Sequence, residues 1–224
     1  MKSESNIKNN RYVFPRWSNK VPFLILLGFV SVVGILIYLF WYWFSPKHLN
    51  VGYEPIQPIP YSHRLHVGEL GLDCRYCHTG VETLAHATIP PSQTCMNCHS
   101  QIKTDSPHIE KIKESYDSGD PIEWVKVHQL PDYAYFNHSR HVNSGVSCVS
   151  CHGRVDQMEI VRQVEPLSMS WCLECHRDPA PHIRPKDKVT TLGWKSDIDP
   201  VILGQKLVKE YGISPREDCS TCHR

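Results

Sequence analysis

All ten cysteines of this 224-residue chain lie in one repeated unit, C-x-x-C-H. The pairs are Cys74/Cys77, Cys95/Cys98, Cys148/Cys151, Cys172/Cys175 and Cys219/Cys222, followed at once by His78, His99, His152, His176 and His223. Histidine makes up 14 of 224 residues, so five such coincidences have a chance probability on the order of one in a million. No cysteine is left for a free thiol or an independent disulfide. Structural zinc joins two C-x-x-C pairs on one metal. Five pairs do not divide that way, and zinc has no need of a histidine after each. Two thiols at this spacing can instead add to the vinyl groups of haem while the adjacent imidazole reaches the iron. The expectation is five haem c groups, with the ten cysteines as thioether attachments and the five motif histidines as proximal ligands.

Covalent attachment does not depend on a pre-built pocket, and the rest of the soluble sequence suits an interior filled by haem. It is rich in proline and poor in long periodic runs. Ser106-Pro107 resembles an N-cap and first-turn proline, and Ile109, Ile112 and Tyr116 keep one face of a short helix to about residue 117. The expected fold is a multihaem cytochrome c: mostly short α-helices and irregular chain around haems, with one N-terminal transmembrane helix.

That helix is VPFLILLGFVSVVGILIYLFWYWF, residues 21–44, which has no charged residue. At about 1.5 Å per residue it spans a hydrocarbon core of roughly 30 Å with some tilt. It is longer than a signal-peptide core and no small-residue cleavage site follows, so it reads as an uncleaved anchor. Residues 1–20 carry a net +4, which places them on the cytoplasmic side of the bacterial inner membrane and the haem domain on the periplasmic, outer side. Tyr38, Trp41, Tyr42 and Trp43 crowd the outer end. No basic run lies outside the N-terminus, which excludes a nucleic-acid partner.

The organisation expected is therefore a basic tail (1–20), an anchor (21–44), a Pro-rich spacer (45–60), a dihaem module (61–105), a connecting segment (106–135) and a trihaem module (136–224). The modules form a weak repeat. YSHRLHVGELGLDCRYCH (61–78) and FNHSRHVNSGVSCVSCH (136–152) share the form aromatic, x, His, x, x, His, then the motif, and a second motif follows each.

Each iron has a second axial face. Beyond the motifs stand His48, His63, His66, His86, His108, His128, His138, His141 and His182, enough to make every iron six-coordinate. The duplicated pairs His63/His66 and His138/His141 are the leading distal ligands, neutral imidazole being a common iron ligand. For the fifth iron Met169, His128, His182, His86 and Met158 compete; Met169 stands three residues before Cys172 and would raise the potential. His48 and His108 rank low, one beside the membrane and the other on the helical spacer.

The pattern QPIPYSHRLHVGELGLDCRYCH…ATIPPSQTCMNCH, with WVKVHQLPDYAYFNHSRHV and PLSMSWCLECHRDP, resembles the pentahaem cytochrome c subunit of alternative complex III over nearly the whole chain. The His-x-x-His pairing is similar, more loosely, to cytochrome c3/c7-type modules. That second resemblance implies that His63 serves the haem at Cys74/Cys77 and His66 the one at Cys95/Cys98, with His138 and His141 doing the same for motifs 3 and 4. Where those modules place a third distal histidine, this sequence has Met169.

The first resemblance implies an electron-transfer subunit of a quinol-oxidising respiratory complex, itself without a catalytic site. Its partners would be an iron–sulfur subunit, polytopic quinol-binding subunits and a monohaem cytochrome c, with electrons leaving to a cytochrome c or a terminal oxidase. A self-contained membrane-anchored quinol dehydrogenase feeding a periplasmic reductase is the alternative, with Asp73 or Glu69 as its acid or base. A nitrite-reductase-like enzyme often has C-x-x-C-K at its open haem, which this sequence lacks.

Overall fold

Val21–Phe44 form a single helix, α1, preceded by a 3-10 turn over Arg16–Lys20. Its 24 residues extend about 36 Å at 1.5 Å rise each. None is buried by the protein, as lipid-facing side chains require. Ser31 returns its hydroxyl to the Leu27 carbonyl at 2.8 Å, which satisfies a polar group that lipid cannot. At the C-terminal end Phe40 and Phe44 stack at 4.6 Å, one helical turn apart.

The computed structural model describes residues 14–44 and 50–223. Lys2, Lys8 and Arg11 of the basic tail, spacer residues 45–49 and His48 lie outside them. The chain divides into two compact units, Met1–His48 and Leu49–Arg224. The second unit therefore takes in most of the expected spacer. From residue 50 the Pro-rich stretch is irregular, but it is docked rather than free. Gly52 N donates to Gln163 O at 2.7 Å, Gln57 bonds both main-chain groups of Val125 at 2.8 and 2.9 Å, and Ile59 is buried. An apolar residue between two prolines and a side-chain amide with a reachable backbone partner hold this segment down.

The second unit is built from short helices. In chain order these are α2 (Cys74–Cys77), α3 (Ser92–His99), α4 (Pro107–Ser118), α5 (His138–Asn143), α6 (Val149–His152), α7 (Met169–Arg177), α8 (Pro200–Glu210) and α9 (Cys219–Cys222). A π-helical turn covers Arg64–Glu69. Among the described residues there is no strand beyond two isolated bridges, Ala134 with His223 and Val146 with Ile183.

The connecting helix is the one the sequence announces. Ser106 caps α4 by accepting from His108 N, Pro107 opens it, and Gly119 closes it at φ 79°, where a side chain would be strained. Ile109 and Ile112 are buried with Ile59, and Cys95, Met96, Ile122 and Trp124 pack round them. That cluster is small. Only ten apolar residues are buried among the described residues of the whole chain. A domain of this size ordinarily needs a larger core, and five large apolar cofactors account for the deficit.

Candidate haem-binding site

The C-x-x-C-H units sit at helix ends in every case: α2, α3, α6, α7 and α9 carry one each. One helical turn places both cysteines of a pair on one side. Motifs 1 and 5 share a local signal, an aspartate directly before the first cysteine. Asp73 and Asp218 both adopt φ −70°, ψ 144°, the N-cap conformation. Asp73 accepts from Arg75 N at 2.9 Å, and Asp218 accepts from the hydroxyls of Ser220 and Thr221 at 2.7 and 2.9 Å.

The imidazoles are oriented by one recurrent device. His78 Nδ1 lies 2.8 Å from Thr88 O, His99 Nδ1 3.0 Å from Ile102 O, His176 Nδ1 2.7 Å from Arg216 O, and His223 Nδ1 3.1 Å from Tyr133 O. The paired histidines do likewise: His66 on Ser62 O at 2.8 Å, His138 on Ala85 O at 3.0 Å and His141 on Asn137 O at 2.8 Å. A carbonyl only accepts, so each Nδ1 carries the proton and each Nε2 keeps a lone pair for a metal. His152 departs from the pattern, its Nδ1 lying 3.4 Å from His128 Nε2. His63 Nδ1 is buried without a partner.

The spacing of the rings tests whether iron fits between them. Two imidazoles bound end-on to one metal at about 2.0–2.1 Å have ring centroids about 6.3 Å apart. His66 and His99 stand at 6.2 Å, His138 and His152 at 6.4 Å, and His141 and His176 at 6.2 Å. Each of these pairs a histidine of an H-x-x-H segment with a motif histidine. His63 is lowered first by burial and then by charge on His78. The residues present fit the cofactor.

Burial keeps these rings neutral and ready to ligate. It pulls His63 down to about 4 and His152 to about 3, and lowers His138 and His141. Burial also raises the thiols of Cys77, Cys95, Cys172 and Cys175, and pushes Cys151 up to about 12.

The remaining candidates are scattered. His128 lies behind His152 rather than across a metal from it, because centroids 4.4 Å apart leave no room for an iron. Its Nε2 lies 3.4 Å from His152 Nδ1. His86 is exposed and near enough to His138 to lower its pKa. His182 ends the 3-10 turn Ala180–His182, and Met158 is buried. The ring packed against His223 is that of Tyr133, with centroids 5.8 Å apart; Met169, at the first turn of α7, is 62% exposed. Cys172, in the same helix, is close enough to Cys222 for charge to raise its pKa.

The five motifs form an unbroken file of neighbours in the order 2–1–3–4–5. Motifs 2 and 1 meet where Asn97 Nδ2 donates to the Tyr76 hydroxyl at 3.0 Å. Motifs 1 and 3 hold one dipeptide from two sides: Cys74 Sγ is 4.0 Å from Thr190 O, and Cys148 N donates to Val189 O at 3.3 Å. Asp73 accepts from Thr190 Oγ1 at 2.8 Å in the same place. Motifs 3 and 4 approach through Phe136, in ring contact with His138 and His141, which face His152 and His176, and Cys151 is close enough to Cys175 and Cys172 for charge to raise its pKa. Motifs 4 and 5 meet through His176 on Arg216 and through Arg177 Nε, 3.1 Å from Glu217 Oε2.

Neither acid–base candidate is free. Asp73 is bound by Arg75 and Thr190 and held at about 2, chiefly by its hydrogen bonds to Arg75. Glu69 pairs with Arg64 at 3.0 Å.

Motif attachment, paired imidazoles and a core too small to stand alone define a multihaem cytochrome c, a mostly helical and irregular electron-transfer fold with an N-terminal apolar helix. Residues 134–224 match the family described as cytochrome c7 and related cytochrome c. Over 125 residues the chain is 33% identical to the multihaem cytochrome c subunit of menaquinone reductase from Nitratidesulfovibrio vulgaris strain Hildenborough. That similarity takes in 55% of this chain and 57% of the relative, so the chain spans little more than half of the relative's length.

Proposed function

We propose that this chain is the membrane-anchored five-haem subunit through which a respiratory complex exchanges electrons with the quinone pool. The observation that carries the reading is the unbroken file of motifs 2–1–3–4–5, whose ends are motif 2 and motif 5. Bound haem supplies one-electron chemistry. The chain's own part is to hold neighbouring attachment sites together, orient each imidazole through its Nδ1, and exclude water from the rings. His63, His66, His138 and His141 are assigned as distal ligands of motifs 1, 2, 3 and 4, and Met169 as the distal ligand of motif 5. The basic tail lies in the cytoplasm, and the haem unit lies outside.

The relative supports delivery of electrons to menaquinone within a multisubunit reductase. The sequence pattern around the anchor and all five motifs favours a second direction, quinol oxidation, with an iron–sulfur subunit, polytopic quinone-binding subunits and a monohaem cytochrome c as partners. In both directions quinone chemistry belongs to partner subunits, because Asp73 and Glu69 are already engaged.

The test is purification of the chain from its native membrane with whatever co-migrates, followed by rapid mixing with menaquinone and menaquinol analogues. Reduced haems oxidised by menaquinone support the reductase direction. Oxidised haems reduced by menaquinol, with onward transfer to an added cytochrome c, support the second. Haems silent towards both overturn the reading.

A further inference from the structure

Seven histidines anchor Nδ1 on a main-chain carbonyl, yet the histidine of motif 3 anchors on another side chain. The other ring, His128, is itself fixed. It belongs to the segment between α4 and α5, three residues past Val125, whose N–H and C=O are both held by the Gln57 amide. The His128 and His152 rings meet edge-on, 80° apart with centroids at 4.4 Å. On the far side His152 faces His138 at 6.4 Å, the spacing that takes a metal. His152 therefore has one nitrogen towards a metal-sized gap and the other towards His128.

We propose that His128 is a positioning residue for the iron of motif 3, accepting the Nδ1 proton of His152 on its own Nε2. The proposal rests on the reading that His152 is an iron ligand. The proton logic is closed: a ligating Nε2 must be unprotonated, so His152 carries its proton on Nδ1. The only lone pair His128 offers there is on Nε2, so His128 is the Nδ1–H tautomer. A ligand whose N–H is held by an acceptor is the more basic one and favours the oxidised metal. Removing the acceptor leaves a buried N–H unsatisfied and raises the potential of that haem alone. No change of charge on His128 is involved. The place of motif 3, between motifs 1 and 4, makes its potential a control point in the middle of the file.

The test uses the full chain matured with haem. His128→Phe keeps the ring volume and removes the acceptor; His128→Gln restores one. In His128→Phe we expect five haems, and one midpoint raised by about a tenfold change in its reduction equilibrium, about 59 mV for one electron. The low-spin electron paramagnetic resonance signal of the same haem should shift. That haem is identified as the third by its absence from a Cys148→Ala/Cys151→Ala double variant. His128→Gln should return midpoint and signal towards wild type. Unchanged midpoints and signals in His128→Phe, with five haems bound, overturn the proposal. Should His128→Phe lose a haem, His128→Gln decides: a wild-type midpoint supports the proposal, and a shifted one overturns it. A third haem lacking a bis-imidazole signal in the wild type removes instead the underlying reading of His152.

Discussion

The two aromatic-His-x-x-His segments are nearly superimposable in their ring geometry, and they differ in what holds them. Tyr61 meets His63 edge-on at 4.8 Å and stacks on His66 at 4.4 Å. Phe136 meets His138 edge-on at 4.7 Å and stacks on His141 at 4.4 Å. Yet the first segment is a π-helical turn entered at Ser62, whose hydroxyl accepts from Leu65 N at 3.1 Å, whereas the second is an α-helix entered at Asn137, whose side chain accepts from Arg140 N at 3.3 Å. His138 is tied across to Ala85 of the first module, while His63 Nδ1 has no partner. The lesson is that the same aromatic–histidine contacts recur in the two segments although one is a π-helical turn and the other an α-helix.

The largest test of this equivalence removes whole attachment sites. Cys148→Ala with Cys151→Ala takes out an interior member of the file, and Cys95→Ala with Cys98→Ala takes out an end. A haemochrome assay should fall from five haems to four in both. Only the first should split the remaining haems into groups that no longer equilibrate. Equal behaviour would mean that the neighbour order does not set the path.

Met169 has no counterpart in the first module, so it comes next. Met169→Leu should open one iron to carbon monoxide, and Met169→His should lower one midpoint while leaving the iron closed. Difference spectra and potentiometry check both, and silence in both variants returns the role to His86 or His182.

The aromatic wedges follow. Phe136→Ala and Tyr61→Ala should each cost about 3–5 kcal/mol of folding stability and lower the midpoints of two haems rather than one, by admitting water to two adjacent rings. Tyr61→Phe, which makes the two segments alike, should cost less than about 1 kcal/mol. A larger loss in thermal unfolding would show that the Tyr61 hydroxyl distinguishes the modules.

The smallest effect concerns acid stability. Asp73 is depressed to about 2, so its contribution is present above its unfolded value of about 3.9 and is lost as pH falls through about 2. Asp73→Asn should be less stable than wild type near neutrality in urea titrations, with the gap closing below pH 4. A gap that widens on acidification contradicts the assignment.

Much of this was legible beforehand because it is local. The motifs are five-residue words, α1 is an uninterrupted apolar run, and α4 begins at Ser106-Pro107 and keeps Ile109 and Ile112 on one face. The docking of residues 50–60 was not legible, since Gln57 finds Val125 across 68 positions. Nor was the contact of His128 with His152 legible: the sequence marks His128 only as one spare histidine among several, and the fold brings it against His152. The carbonyls that orient the imidazoles are invisible in any alphabet, because every residue has one. Ala85 is chosen for its place, not its side chain.

Those carbonyls also write a timetable for assembly. His78 and His99 are steered by Thr88 and Ile102, close behind them on the chain, so the first two rings can be aimed once the chain is made as far as residue 102. His176 must wait for Arg216, 40 positions later, and His223 reaches back 90 positions to Tyr133. A secreted chain that receives its haems in order would finish its first pair while the last is still being threaded. A stall in export beyond residue 102 should therefore leave a two-haem fragment with both motif histidines already set.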